Sequence, residues 1–144
     1  MSTEEIKARF RWFYEEVFEK GNMGAWDELF SSDFVEHNPP FGDFKGLKAI
    51  KEGMKEERSA LSDFHATIDE IIVEGSTVVV RHNFECKHIG ELMGVPPTGR
   101  QLKYSGCVVY HLRNGKVFEC FAYEDWLGLF QQLGVIPQLG QGKE

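Results

Sequence analysis

Asp125 stands where a strand gives way to a short apolar helix, at the end of a run rich in aromatic residues. A carboxyl group so placed is a candidate for proton transfer, because an apolar setting disfavours the charged form and lifts its pKa toward neutrality. The pairing around it follows from Asn114-Gly115, the residue pair that best accepts the two positive φ angles of a type I′ hairpin turn. With that turn, Arg113 pairs with Lys116. Strict alternation then brings Tyr110 to Glu119, Val108 to Phe121, Gly106 to Tyr123 and Tyr104 to Asp125 on one face. That face is aromatic and apolar apart from Glu119, Asp125 and two phenols. Asp125 has a second role open to it: aspartate is a favoured helix N-cap, which keeps its carboxylate ionised.

Other groups extend the candidate site. His37 follows a short strand and precedes the rigid Asn38-Pro39-Pro40 loop. Its ring can share a proton with a substrate oxygen, or with Asp125 if the two converge, or it can hold the loop through a backbone carbonyl. Asn38 is a weaker contact candidate. His82, Phe84, Cys86 and His88 share one face of their strand, so the two histidines can line a pocket. They lack a third ligand at metal-binding spacing, so no metal is expected. Glu119 lies on the pocket face by the pairing above, with an ion pair to Arg81 or Arg100 as its alternative. Tyr104, Tyr110, Tyr123, Phe121, Trp12, Phe13 and Trp26 read as pocket or core aromatics. The chain has no nucleophile elbow, phosphate loop or dinucleotide fingerprint. Cys86, Cys107 and Cys120 have no ligand spacing and read as small buried residues.

Composition narrows the field. A length of 144 residues suits one domain, read as residues 1–137 followed by a loose polar tail, 138–144. The 12 Phe, 4 Tyr and 3 Trp support a packed core. A net charge of −7 disfavours nucleic acid, whose phosphates call for a basic surface. No apolar run approaches the ~20 residues of a membrane span. The acidic start Met1-Ser2-Thr3-Glu4-Glu5 does not resemble a signal peptide, so a cytoplasmic address is expected.

The elements that must position these groups can be read along the chain. A first helix is predicted over Thr3–Lys20, opened by a Ser2/Glu5 capping box and striped with Ile6, Phe10, Phe13, Tyr14 and Val17. A short helix follows over Met23–Phe30, then a strand at Asp33–His37, a loop at Asn38–Gly42 and a third helix over Leu47–Leu61. Four strands follow. Phe64–Glu74 alternates, Thr77–His88 comes after the Gly75-Ser76 turn, and the hairpin comes after the Gly90–Gly99 loop. Leu127, Leu129, Phe130 and Leu133 form a last helix ended by Gly134. Helices first and strands after indicate an α+β fold, a curved sheet closing on its helices like a cone around a pocket. The opposite hairpin face, with Cys107, Val109, Phe118, Cys120 and Ala122, is apolar enough to expect a second subunit over it.

These blocks together resemble the SnoaL-like polyketide cyclases, or ester cyclases, of the nuclear-transport-factor-2-like superfamily. The resemblance rests on Phe13–Asn22, Phe34–Pro40, His88–Arg100, Asn114–Glu119 and Asp125–Gly134, and spans about Ile6 to Pro137. It implies a cone-shaped α+β domain wrapped on N-terminal helices, a homodimer or homotetramer through the outer sheet face, and a deep hydrophobic pocket. It also implies ring closure by intramolecular aldol condensation without metal or cofactor, with Asp125 in the place of the family's acid/base aspartate. Phe121 stands where many relatives have Trp, and Tyr123 often corresponds to Asn.

The expected function is therefore proton transfer, for cyclisation or isomerisation, on a small hydrophobic carbonyl compound, with Asp125 and His37 catalytic. The substrate-contact set is Asn38, His82, His88, Tyr104, Tyr110, Glu119, Phe121, Tyr123, Trp12 and Trp26. The alternatives are a binding protein using the same pocket without turnover, epoxide hydrolysis, and a structural dimerisation module. The two-aspartate, one-arginine set that epoxide hydrolysis uses cannot be assembled from this chain.

Overall fold

The computed structural model describes residues 1–140. The last residues of the expected tail, 141–144, lie outside the described residues. The Ser2 hydroxyl accepts the Glu5 backbone N–H at 3.1 Å, and helix α1 (Thr3–Tyr14) buries Ile6, Phe10, Phe13 and Tyr14. The chain runs on as a π-helical stretch, Glu15–Glu19, whose wider turn resets the apolar stripe so that Val17 and Phe18 are both buried. Helix α2 (Ala25–Leu29) passes straight into strand β1 (Phe30–Asn38). A tight turn leads to β2 (Gly42–Lys45), a strand absent from the sequence reading. Helix α3 (Leu47–Ser59) follows, then β3 (Leu61–Glu74), β4 (Thr77–His88), β5 (Gln101–Arg113), β6 (Lys116–Glu124) and α4 (Trp126–Leu133).

The fold is α+β, as expected. Six strands form one curved open sheet in the order β2-β1-β6-β5-β4-β3. Neighbours are antiparallel except β1 and β6, which run parallel. The helices cover its inner side, where Trp26 and Phe30 rings meet at 4.6 Å and Phe13 and Trp26 at 4.9 Å. Burying each such ring contributes roughly 1.5–3 kcal/mol, so this cluster is a main source of stability.

Two β-bulges decide which side chains face inward. In β3, Ile68 pairs with His82 but Glu70 pairs with Arg81, leaving Asp69 unpaired. Past that point Ile71 is buried, and Ile72 turns outward at 53% exposure. In the hairpin, Arg113 pairs with Lys116 and Leu112 with Val117 as alternation predicts. Then Phe118 is skipped: His111 meets Glu119, Tyr110 meets Cys120, Val108 meets Ala122 and Gly106 meets Glu124. Strict alternation from Val117, which is fully buried, would drive the Glu119 carboxylate into the core. One extra residue keeps Val117 inside and Glu119 outside, and reverses every later position. Cys120 and Ala122, expected on the outer face, are therefore buried, while Cys107 and Val109 of β5 remain on the outer face.

Candidate active site

The inner face of the sheet and helices α1 to α3 enclose a cavity of about 500 Å³. Its walls are mostly aromatic, from Phe13, Phe18, Trp26, Phe30, Phe64, Phe84, Tyr104 and Trp126. Five carboxyl residues break this apolar lining: Glu56 and Glu91 are exposed, and Glu36, Glu57 and Glu124 are withdrawn further from solvent.

Glu124 ends β6 on the inward face. His82, buried in β4, bonds it through Nε2 at 2.8 Å to Oε1 and 3.0 Å to Oε2. The Tyr14 hydroxyl lies 2.8 Å from His82 Nδ1 and 3.2 Å from the Tyr110 hydroxyl. Burial raises both phenols well above their ordinary range, so each keeps its proton. Tyr14 has one proton to give, and the shorter contact assigns it to Nδ1. Tyr110 then supplies the proton between the phenols. The ring proton of His82 is thereby assigned to Nε2, where it is donated to Glu124. Three protons point one way along Tyr110, Tyr14 and His82, and the chain ends on a carboxylate that keeps its remaining lone pairs for the cavity.

The carboxylate fits there because its partner across the ladder is a glycine. A Cβ on Gly106 would sit 1.9 Å from Glu124 Oε2 and 2.3 Å from Cδ. A glycine inside a strand often marks such a close approach.

The other two acids differ. Glu36 accepts Asn38 Nδ2 at 3.3 Å and Cys120 Sγ at 3.7 Å, and burial pushes its carboxyl above the ordinary value. Glu57, in the last turn of α3, is pushed up to about 7, first by burial and then by the charges of Glu124 and Glu36. The Tyr104 hydroxyl lies beside it. Burial also pushes the Cys86 thiol up to about 11, so it is no ready nucleophile.

The expected site residues divide in space. Asn38, Trp26, His82, Tyr104 and Tyr110 line the cavity. Asp125 does not: it is exposed and caps α4, its Oδ1 accepting the Gly128 N–H at 2.9 Å. The bulge at Phe118 moved the inward position one residue back, to Glu124. The same reversal turns Glu119, Phe121 and Tyr123 outward, Tyr123 to 55% exposure. His37 is outward as well, since its neighbour Glu36 faces in. It bridges Asp43 at 2.8 Å and Glu119 at 2.9 Å and stacks on Phe121 at 4.5 Å. Glu119 thus pairs with His37, while Arg81 binds Glu70 and Asp69, and Arg100 donates to the Gln132 carbonyl. His88 is buried but holds the following loop through Thr98, by side chain at 2.9 Å and backbone N–H at 3.2 Å. Trp12 lies on the surface of α1 at 38% exposure. Among the described residues, no group of three or more His, Cys, Asp or Glu side chains is placed to hold a metal ion.

Sequence reasoning missed Glu124, Glu57 and Glu36 and read Tyr14 only as part of an apolar stripe. Two signals were available for Glu124: the glycine opposite it, and the conflict between a buried Val117 and a buried Glu119.

A curved sheet around an aromatic, acid-bearing chamber defines a domain built to enclose a small organic molecule. The family model for the SnoaL-like polyketide cyclases matches residues 8–133. The chain belongs to that family. It is 31% identical over 111 residues to the aklanonic acid methyl ester cyclase DnrD of Streptomyces peucetius, covering 74% of this chain and 72% of that one. Among solved structures, TsrD from Streptomyces laurentii superposes with a TM-score of 0.84 at 20% identity, covering 94% of this chain and 99% of that one. A candidate polyketide cyclase from Acidithiobacillus ferrooxidans gives 0.79 at 28% identity, over 93% and 98%. No helix among the described residues is long and apolar enough to cross a membrane.

Proposed function

We propose that this protein is a cyclase that closes a ring on a hydrophobic carbonyl compound by proton transfer, with Glu124 as general base. The observation supporting this reading is the chain Tyr110–Tyr14–His82–Glu124, which ends on a cavity-facing carboxylate. Glu124 removes a proton from the carbon beside a carbonyl. The C–H pair becomes the enolate double bond, and negative charge passes to the oxygen. The enolate carbon then attacks a second carbonyl of the same molecule, a C–C bond forms as that carbonyl's π pair passes to its oxygen, and the new alkoxide takes up the proton that Glu124 removed. Atoms and electrons balance with no further reactant. His82 and Tyr14 are positioning residues that orient the carboxylate, and the aromatic walls exclude water. A placed general base contributes on the order of 10²–10⁴ in rate.

The first substrate to try is aklanonic acid methyl ester, the compound on which DnrD acts by name. The assay follows ring closure and exchange of the α-proton into D₂O. Glu124→Gln is expected to slow both by at least about 10². Undiminished exchange in that variant would refute the assignment, and tight binding by wild type with neither reaction would leave a binding protein.

A further inference from the structure

The site described so far has a base and no group to receive the charge that the base creates. On the α3 side of the cavity a second carboxyl, Glu57, has no part in the Glu124 chain. Tyr104 sits beside it, and burial holds that phenol well above its ordinary range, so the Tyr104 proton is available to one Glu57 oxygen. Arg58, the adjacent cation, is engaged elsewhere: Nη1 donates to the Phe18 carbonyl at 2.8 Å and the Val17 carbonyl at 3.3 Å, and the guanidinium lies 4.7 Å over the Phe64 ring. Nearby Trp126 lines the same cavity and stacks on Tyr104 with ring centres 6.2 Å apart, and its buried indole N–H has no acceptor. A buried donor left unpaired costs about 1–3 kcal/mol unless something supplies an acceptor. An acceptor-only ligand oxygen is what this end of the chamber lacks.

We propose that Glu57, as the neutral acid, donates its O–H to the substrate carbonyl oxygen on which negative charge develops, so that Glu57 and Glu124 divide acid and base roles across one cavity. The inference rests on the carbonyl reading above. Two carboxyl groups placed in unlike settings, one accepting from His82 and the other half-buried without a free cation, commonly divide such work. The groups facing Glu57 are Glu124 on β6, Glu36 on β1, Tyr104 on β5, Cys86 on β4 and Arg58 on its own helix. The two acids raise its carboxyl and only Tyr104 and Arg58 oppose them, so its proton is retained until near pH 7.

The test uses the intact protein and fluorenone, a flat aromatic ketone that accepts but cannot donate a hydrogen bond. Binding is followed by calorimetry and the bound carbonyl stretch by infrared spectroscopy, at pH 6 and pH 8.5. In wild type the stretch should move to lower frequency at pH 6, and the ketone should bind roughly three- to tenfold more weakly at pH 8.5. Glu57→Gln keeps an N–H donor and should show a smaller, pH-independent displacement. Glu57→Leu should show only the small, pH-independent displacement that the Trp126 indole N–H can supply, and both variants remove a half-buried acid and are expected to fold. Glu124→Gln should keep a displacement but move its loss to lower pH, since the Glu124 charge helps to raise the Glu57 carboxyl, so failure of the base assignment and failure of this one are separable. A wild-type stretch unaffected by pH, a pH-dependent displacement that survives in Glu57→Leu, or no binding by wild type at either pH would overturn the proposal.

Discussion

The most direct test of the base assignment lies across the ladder from it, at Gly106. Gly106→Ala introduces one methyl group, at a position where the added carbon would lie 1.9 Å from Glu124 Oε2 and 2.7 Å from Oε1. Ordinary contact begins at 3.4 Å, so the carboxylate must retreat by more than an ångström. The bond from His82 Nε2, now 2.8 Å, cannot survive that movement as a hydrogen bond. Losing a hydrogen bond to a charged group costs about 1.5–3 kcal/mol, and a 1 Å misplacement of a reacting group by itself costs about 10² in rate. We expect turnover to fall by at least about 10². Stability should fall by about 0.5–2.5 kcal/mol, because alanine in a strand recovers only about 0.5–1 kcal/mol of what the broken bond costs. Two assays check this. The hydrogen-bonded Nε2–H proton of His82, visible at low field by NMR without any substrate, should vanish. In a Glu124→Gln background, Gly106→Ala should add almost nothing, since the group it displaces is already gone. If Gly106→Ala keeps both the low-field proton and full turnover, Glu124 is not held as described and the base assignment fails with it.

Two further outcomes follow from the same geometry. Asp125→Ala removes the cap of α4 and should cost about 1 kcal/mol by denaturant unfolding while leaving turnover unchanged, which separates its structural role from the catalytic one assigned by family resemblance. Glu57 has a folded-state value raised from 4.5 to about 7. The folded protein therefore holds that proton after the unfolded chain has lost it, and stability falls as pH rises from about 4.5 to 7. Glu57→Gln abolishes this dependence. It should match wild type at pH 4 and exceed it above pH 7 by on the order of 3 kcal/mol, measured as a difference between unfolding curves. An equal difference at both pH values would contradict the assigned direction.

Local chemistry was enough for much of the architecture. Ser2 with Glu5, the stripe from Ile6 to Val17, the Asn114-Gly115 turn and Gly134 at φ +84 are short-range signals, and the elements they mark are present in the structure. Alternation along Thr77–His88 placed His82 inward because that strand has no bulge in its pairing with β5. Strand β2 escaped notice because four residues with two outward charges carry no periodic signal. The site turned on what local pattern cannot report. Whether Phe118 is counted or skipped depends on the whole core accepting Val117 and refusing Glu119, a choice made by the packed sheet. That single skipped residue moved the catalytic candidate from Asp125 to Glu124. Glu57 was invisible for a related reason: on an exposed-looking helix it is one acid among many, and only the closing of α3 over the aromatic chamber takes it partly out of water. The sequence by itself determined most of the elements, the family and the greasy lining. Long-range packing decided which carboxyl groups look into the cavity, because side-chain direction in a strand is set by its neighbours' register as much as by its own residues.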